Sequence, residues 1–146
     1  MEMTRILVPF AGNKADVEAI KLACNLAKRA KSKVYVVYVI EVERSLPLDA
    51  ELEPEMKKGE EVLSKAERIA EEQDCEVETD LLQAREVGPA VVDEAIERGV
   101  GMIVLGMGYK KRFGEFSLGQ TIPYVLKNAP CSVMIYREPI PKEESH

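Results

Sequence analysis

The run Val34-Tyr35-Val36-Val37-Tyr38-Val39-Ile40 constrains this chain more than any other stretch. Every residue in it is β-branched or aromatic, which makes it a strand, and it lacks polar alternation, so both of its faces must be covered. Such a strand belongs at the centre of a sheet with helices above and below. Shorter runs of the same character stand at Arg5-Ile6-Leu7-Val8-Pro9, Met102-Ile103-Val104-Leu105 and Ser132-Val133-Met134-Ile135-Tyr136. Between them the apolar spacing becomes helical. Val17, Ile20, Ala23, Cys24, Ala27 and Ala30 mark one amphipathic helix, with Lys14, Asp16, Glu18, Lys21, Lys28 and Arg29 assigned to the wet side. Met56, Val62, Leu63, Ala66, Ile69 and Ala70 mark a second. A third starts after the turn 83–89, with Ala90, Val91, Ala95 and Ile96 as its inner side. Val77 and Thr79 alternate with charges before Leu81-Leu82, the pattern of an outermost strand. Strands alternating with helices throughout imply an α/β domain: an open five-stranded parallel sheet with right-handed crossovers and helices on both faces. One domain is expected over residues 1–138, with a charged tail over 139–146.

In such a sheet ligands sit beyond the carboxyl ends of the strands, where the strand order reverses. The stretch from Gly106 to Thr121 occupies such a position. It follows the apolar run ending at Leu105, and it carries Gly106, Gly108, Gly114 and Gly119, which permit positive φ or close backbone approach. Lys110, Lys111 and Arg112 add positive charge. Ile122, Val125, Leu126 and Ala129 then keep helical spacing, so the loop ends at a helix N-terminus near Gly119 or Gln120, with Pro123 in the first turn. A phosphate suits this arrangement; an ordinary solvated crossover loop has the same residue types. The connection from Glu41 to Pro54 is long and patternless. A lid, a partner contact and a surface excursion are all open for it.

Composition removes several classes. A net charge of -6 argues against a nucleic-acid or anionic-membrane binder. No apolar stretch approaches the roughly 20 residues of a membrane span, and the chain is expected to be soluble and cytoplasmic, without membrane insertion. Cys24, Cys75 and Cys131 are odd in number and widely spaced, which suits core or half-buried thiols rather than a metal site. The single histidine, His146, excludes histidine-based triads and metal centres. Phe10-Ala11-Gly12-Asn13-Lys14 after the first strand is not a PP-loop, and neither a Walker loop nor a dinucleotide fingerprint is present.

With these elements in order, nearly the whole chain resembles the universal stress protein family, a flavodoxin-like group related to the adenine-nucleotide α-hydrolases. The resemblance implies strand order 3-2-1-4-5 and, in nucleotide-binding members, a pattern of Gly, two residues, Gly, nine residues, Gly and Ser or Thr that cradles the phosphates of ATP. Here the outer glycines fall on Gly106 and Gly119, the second on Tyr109 and the hydroxyl on Gln120, with Thr121 next. The family's aspartate two residues beyond the first-strand proline falls on Ala11, after Pro9 and Phe10. The adenine wall falls on Val39 and Leu105. The implied ligand set is therefore Pro9, Phe10, Ala11, Val39, Leu105, Gly106, Gly108, Tyr109, Gly119, Gln120 and Thr121, holding ATP or another adenine nucleotide with Mg²⁺. Members without the full pattern resemble a non-binding, dimeric class, so a nucleotide-free state stays open.

The resemblance also implies a homodimer through the last strand, Ser132 to Tyr136, and an unidentified partner protein. Pro47-Leu48-Asp49-Ala50-Glu51-Leu52 is similar to universal stress domains found alone or fused to amino-acid transporters, so the alternative to nucleotide-dependent stress regulation is a nucleotide-independent dimeric interaction module, with a transporter as one candidate for what it regulates. No catalytic role is expected. Glu115, the sole candidate base for slow ATP hydrolysis, reads as a solvated loop charge.

Overall fold

The computed structural model describes residues 5–109, 111–112, 115–116 and 118–142. Its central sheet has five parallel strands in the order β3-β2-β1-β4-β7, where β1 is Ile6–Pro9, β2 Val34–Glu41, β3 Val77–Ala84, β4 Met102–Met107 and β7 Ser132–Arg137. The apolar run Val34–Ile40 lies in β2, which pairs along its length with β3, from Val34 opposite Val77 to Glu41 opposite Ala84. Its register with β1 runs from Ile6 opposite Val34 to Pro9 opposite Val37. The alternating segment forms the outer strand β3, as the charges at Glu78 and Asp80 suggested.

Two helices cover each face. α1 (Lys14–Ala30) and α2 (Glu53–Glu72) pack on one side, where Ile20, Cys24, Leu63 and Ile69 join Ile6, Val8, Val34 and Val36 in one core layer. α3 (Val87–Glu97) and α4 (Thr121–Asn128) pack on the other, where Val91, Ala95, Ile122 and Val125 meet Leu7, Val37, Ile103 and Leu105. Successive residues of β1 and β4 feed opposite layers, which is why neither strand alternates with polar residues. Among the described residues no helix is long and apolar enough to cross a membrane.

Several local expectations need correction. Ile96 is 57% exposed. The inner stripe of α3 is Gly88, Val91, Val92 and Ala95, and Ile96 lies one residue past that stripe, rotated out of the layer. Gln83 and Ala84 belong to β3 and Val87 opens α3, so the intervening turn is shorter than the span 83–89. α4 begins at Thr121, after both expected starts. Within the 106–121 stretch a short antiparallel hairpin forms between β5 (Lys111–Arg112) and β6 (Glu115–Phe116), so Glu115 lies in a strand rather than a loop. Lys110, Gly114 and His146 lie outside the described residues.

Asp16 requires the largest correction. It is buried, at 5% exposure, instead of wet. Asn13 is the N-cap of α1 and accepts a 2.8 Å hydrogen bond from the Asp16 amide. The Asp16 side chain turns back from the third helical position toward the preceding loop, the reciprocal geometry of a capping box, and so leaves the solvated face.

The long connection after β2 is tied down from β3. Arg85 Nη1 donates to the carbonyls of Val42, Glu43 and Leu46 at 3.3, 2.5 and 2.9 Å, and Gln83 Nε2 donates to those of Leu48 and Ala50 at 2.9 and 3.0 Å. Two side chains at the end of one strand thus satisfy five carbonyls of a segment that has no regular structure.

Candidate functional site: the crevice between the first and fourth strands

β1 and β4 pair only through Ile6 opposite Met102 and Leu7 opposite Ile103, and then part. β1 lies at the reversal of strand order, with β2 on one side and β4 on the other. The gap beyond Leu7 and Ile103 is therefore the crevice that this topology reserves for ligands.

The N-terminal turn of α1 fills part of it. A Cβ on Gly106 would stand 2.5 Å from the carbonyl carbon and oxygen of Ala15 and 2.6 Å from the amide of Asp16. Glycine is required there because the backbone of α1 lies against the backbone of β4. Gly106 and Gly108 do not have positive φ; Gly119 does, at 69°. The two outer glycines thus serve different needs, close approach at Gly106 and left-handed backbone at Gly119.

The floor at the β1 side is made by Asp16. Its Oδ2 accepts a 2.7 Å hydrogen bond from the amide of Ala11. Burial pushes its carboxyl up to about 6, against lesser opposing contributions from the amides of Ala11, Asn13 and Gly12. A carboxylate is thus present at this loop, supplied from five residues downstream of Ala11. The sequence signal for it was the spacing Asn13-x-x-Asp16, that of a capping box. Lys65 of α2 donates to the Gly12 carbonyl at 3.1 Å and holds the same loop from the other side.

The opposite wall is the start of α4. Among the described residues nothing lies within 4 Å of a Cβ built on Gly119, and the N-cap Gln120 makes no side-chain hydrogen bond to the first turn. Pro123 occupies the third helical position, where a missing amide costs nothing. The first-turn amides of this helix carry the partial positive charge that favours an anion. Tyr109 follows β4 by two residues, with the Arg137 guanidinium 5.2 Å from its ring centroid. Arg137, which belongs to no sequence motif, arrives because β7 is paired with β4 out to Met107.

The apolar candidates divide between the two layers. Phe10 is 2% exposed and belongs to the α1–α2 layer, its amide donating to the Val37 carbonyl at 2.9 Å. Leu105 is buried in the α3–α4 layer, and half-buried Val39 packs against that same layer. Pro9 ends β1, while Ala11, Gly119 and Gln120 are exposed and Gly108, Tyr109 and Thr121 are partly so. The structure thus gathers Pro9, Ala11, Gly106 and Asp16 at the β1–α1 side and Gly119 to Thr121 at the α4 side.

A model of the universal stress protein family matches residues 2–137. The chain belongs to that family. A universal stress protein of Methanocaldococcus jannaschii is 30% identical over 141 residues, which cover 92% of this chain and 82% of that protein. Among solved structures, a universal stress protein from Archaeoglobus fulgidus superposes with a TM-score of 0.75 at 23% identity, covering 92% of this chain and 98% of that one. The universal stress protein from the same organism in complex with dAMP gives 0.73 at 22% identity, with the same shares covered. These similarities agree with the parallel sheet in the order expected for the family. The departures from the family's glycine pattern, Tyr109 and Gln120, lie respectively under Arg137 and at the mouth of α4.

Proposed function

We propose that this universal stress protein is a stress-response regulator that takes an adenine nucleotide, ATP with Mg²⁺ or AMP, in the crevice between β1 and β4. The phosphates meet the first turn of α4, and the base lies toward Val39 and Leu105. The observation that carries this reading is Gly119: a left-handed glycine with no described residue within 4 Å of where a side chain would stand, leading into a helix whose N-cap residue, Gln120, makes no side-chain capping bond. A structure of this fold solved with dAMP supports the class of ligand. Mg²⁺ belongs to the triphosphate, since among the described residues no group of three or more His, Cys, Asp or Glu is placed to hold a metal. The role is that of a ligand-occupied switch, without turnover.

Calorimetric titration of nucleotide-stripped protein with ATP and Mg²⁺, and with AMP, tests this. Saturable micromolar binding that is lost in Gly119→Val supports it; silence up to millimolar nucleotide defeats it. A second reading, a nucleotide-independent dimeric module, is favoured by Asp16 already occupying the Ala11 amide and by Tyr109 standing where the family has glycine. Either reading includes a homodimer through β7, an outer strand of the sheet with half-buried Val133, Met134, Ile135 and Tyr136. A solution mass equal to one 16.3 kDa chain at micromolar concentration would rule the dimer out.

A further inference from the structure

At the other end of the sheet, two cysteines that are distant in sequence come together. Cys24, on the inner face of α1, is completely buried. Cys75 follows α2 and packs against the same core layer, close enough for its thiol to bear on that of Cys24, while its Sγ donates to the Glu76 carbonyl at 3.7 Å. Both are free thiols.

Cys75 is held at a defined place. α2 ends in a Schellman turn in which Asp74, at φ 53°, sends its amide to the Glu71 carbonyl and Cys75 sends its amide to the Ala70 carbonyl, each at 2.9 Å. The turn opens on a surface depression of about 560 Å³, whose walls include Cys75, Lys28, Lys31 and Ser32. The Ser32 hydroxyl is buried and has no hydrogen-bond partner among the described residues. A half-buried thiol in the wall of a solvent-open depression, backed by a fully buried second thiol, is the layout of a reacting and a resolving cysteine.

We propose that Cys75 is a peroxide-reactive thiol and that Cys24 resolves it, giving a reversible intramolecular disulfide between α1 and the start of β3. The oxidant is a hydroperoxide, with hydrogen peroxide the simplest. The Cys75 sulfur attacks one peroxide oxygen, the O–O bond breaks, and Cys75–SOH and water form. The Cys24 sulfur then attacks the Cys75 sulfur, the S–OH bond breaks, and the hydroxyl leaves as water with the Cys24 proton. Two thiols and one peroxide become one disulfide and two waters, with sulfur oxidised and peroxide oxygen reduced. The division of labour follows from burial: desolvation first, and Cys75 second, push the Cys24 thiol up, so peroxide meets Cys75 first, and Cys24 gives its proton to the departing hydroxyl only as the S–S bond forms.

The test treats the purified full chain with a few equivalents of hydrogen peroxide, then combines thiol titration, intact mass, peptide mapping under non-reducing conditions and a thermal melt. The expected results are loss of two of the three titratable thiols, a mass decrease of about 2 Da, a Cys24–Cys75 cross-linked peptide, and a melting point roughly 10 °C higher that returns on treatment with dithiothreitol. In Cys24→Ala, which keeps the core apolar, Cys75 is expected to gain about 32 Da as sulfinic acid instead. Wild-type protein that retains three thiols, that takes Cys75 to sulfinic acid, or that cross-links through Cys131 would overturn the proposal.

Discussion

The carboxylate of Asp16 accepts a 2.7 Å hydrogen bond from the amide of Ala11, so the first turn of α1 reaches back and holds the loop that leaves β1. The bond is part-buried, and burial of the Asp16 side chain raises its carboxyl from an ordinary value near 3.8 to about 6. The folded protein therefore keeps the Asp16 proton to higher pH than the unfolded chain does. The contribution of this group to stability is fully present below pH 3.8 and is lost as pH rises through about 6. The change amounts to about 3 kcal/mol between those limits. Asp16→Asn does not titrate, so urea unfolding of the two proteins should diverge in the variant's favour by up to that amount between pH 4 and pH 7. A difference independent of pH would show that the carboxylate is not desolvated.

The two outer glycines of the 106–121 stretch should separate cleanly. Gly106→Ala puts a methyl 2.5 Å from the Ala15 carbonyl, against backbone that cannot rotate away. A loss of about 3 kcal/mol is expected, seen as a melting point lower by roughly 10 °C. Gly119→Ala meets no described residue within 4 Å and bears the cost of a left-handed alanine, about 1 kcal/mol. Equal losses in the two thermal melts would refute the assignment of Gly106 to helix packing.

Arg98 closes a charged cluster at the α3–β3 edge. Its Nε meets Glu94 at 2.5 Å, its Nη2 meets Asp80 at 3.1 Å, and its guanidinium lies 4.5 Å from the Tyr35 ring centroid. The Glu94 side chain is only 10% exposed. Arg98→Met leaves that carboxylate without its cation and should cost about 2 kcal/mol, discounted from the fully buried case because the guanidinium itself is part-exposed. The double variant Arg98→Met/Glu94→Gln should recover at least half of this in a denaturant-melt cycle. Additive losses would mean that the pair is not coupled.

Arg85 supports the connection between β2 and α2 through three carbonyls. Because these carbonyls can turn to water, Arg85→Ala should cost only about 1 kcal/mol globally. The local effect is the informative one. Cleavage by a glutamate-specific protease after Glu43 should accelerate about tenfold as the loop opens more often, about 1.4 kcal/mol in its opening equilibrium. An unchanged rate would mean that Gln83 suffices to hold the segment.

The sequence exposed the sheet far better than the site, and particular residues explain the difference. Val34 to Ile40 has one solution in an α/β chain, because a run without polar residues must be covered on both faces. The crevice is made by side chains whose direction depends on neighbours distant in sequence. Asp16 has the spacing of a wet helical residue, yet its place in the first turn sends it inward toward Ala11. Arg137 belongs to no motif, and it reaches Tyr109 only because β7 pairs with β4. The hairpin of β5 and β6 escaped because two-residue strands carry no period.

Tyr109 provides the sharpest test of the nucleotide reading. Its ring lies under Arg137 at 5.2 Å and stands where the family's nucleotide binders have glycine. With Tyr109→Gly the phenol leaves the loop after β4, the backbone gains the freedom that phosphate cradles use, and Arg137 loses the ring it covers and can turn toward the ligand. Affinity for ATP should rise about tenfold, equivalent to about 1.4 kcal/mol, and the added Tyr109→Gly/Arg137→Ala double variant should lose most of that gain. The gain should be smaller for AMP, whose single phosphate is attached directly to the ribose. Titration calorimetry on the three proteins decides it: if Tyr109→Gly binds ATP no better than the parent, the phosphates do not pass this loop, and the crevice between β1 and β4 serves the partner-binding reading instead.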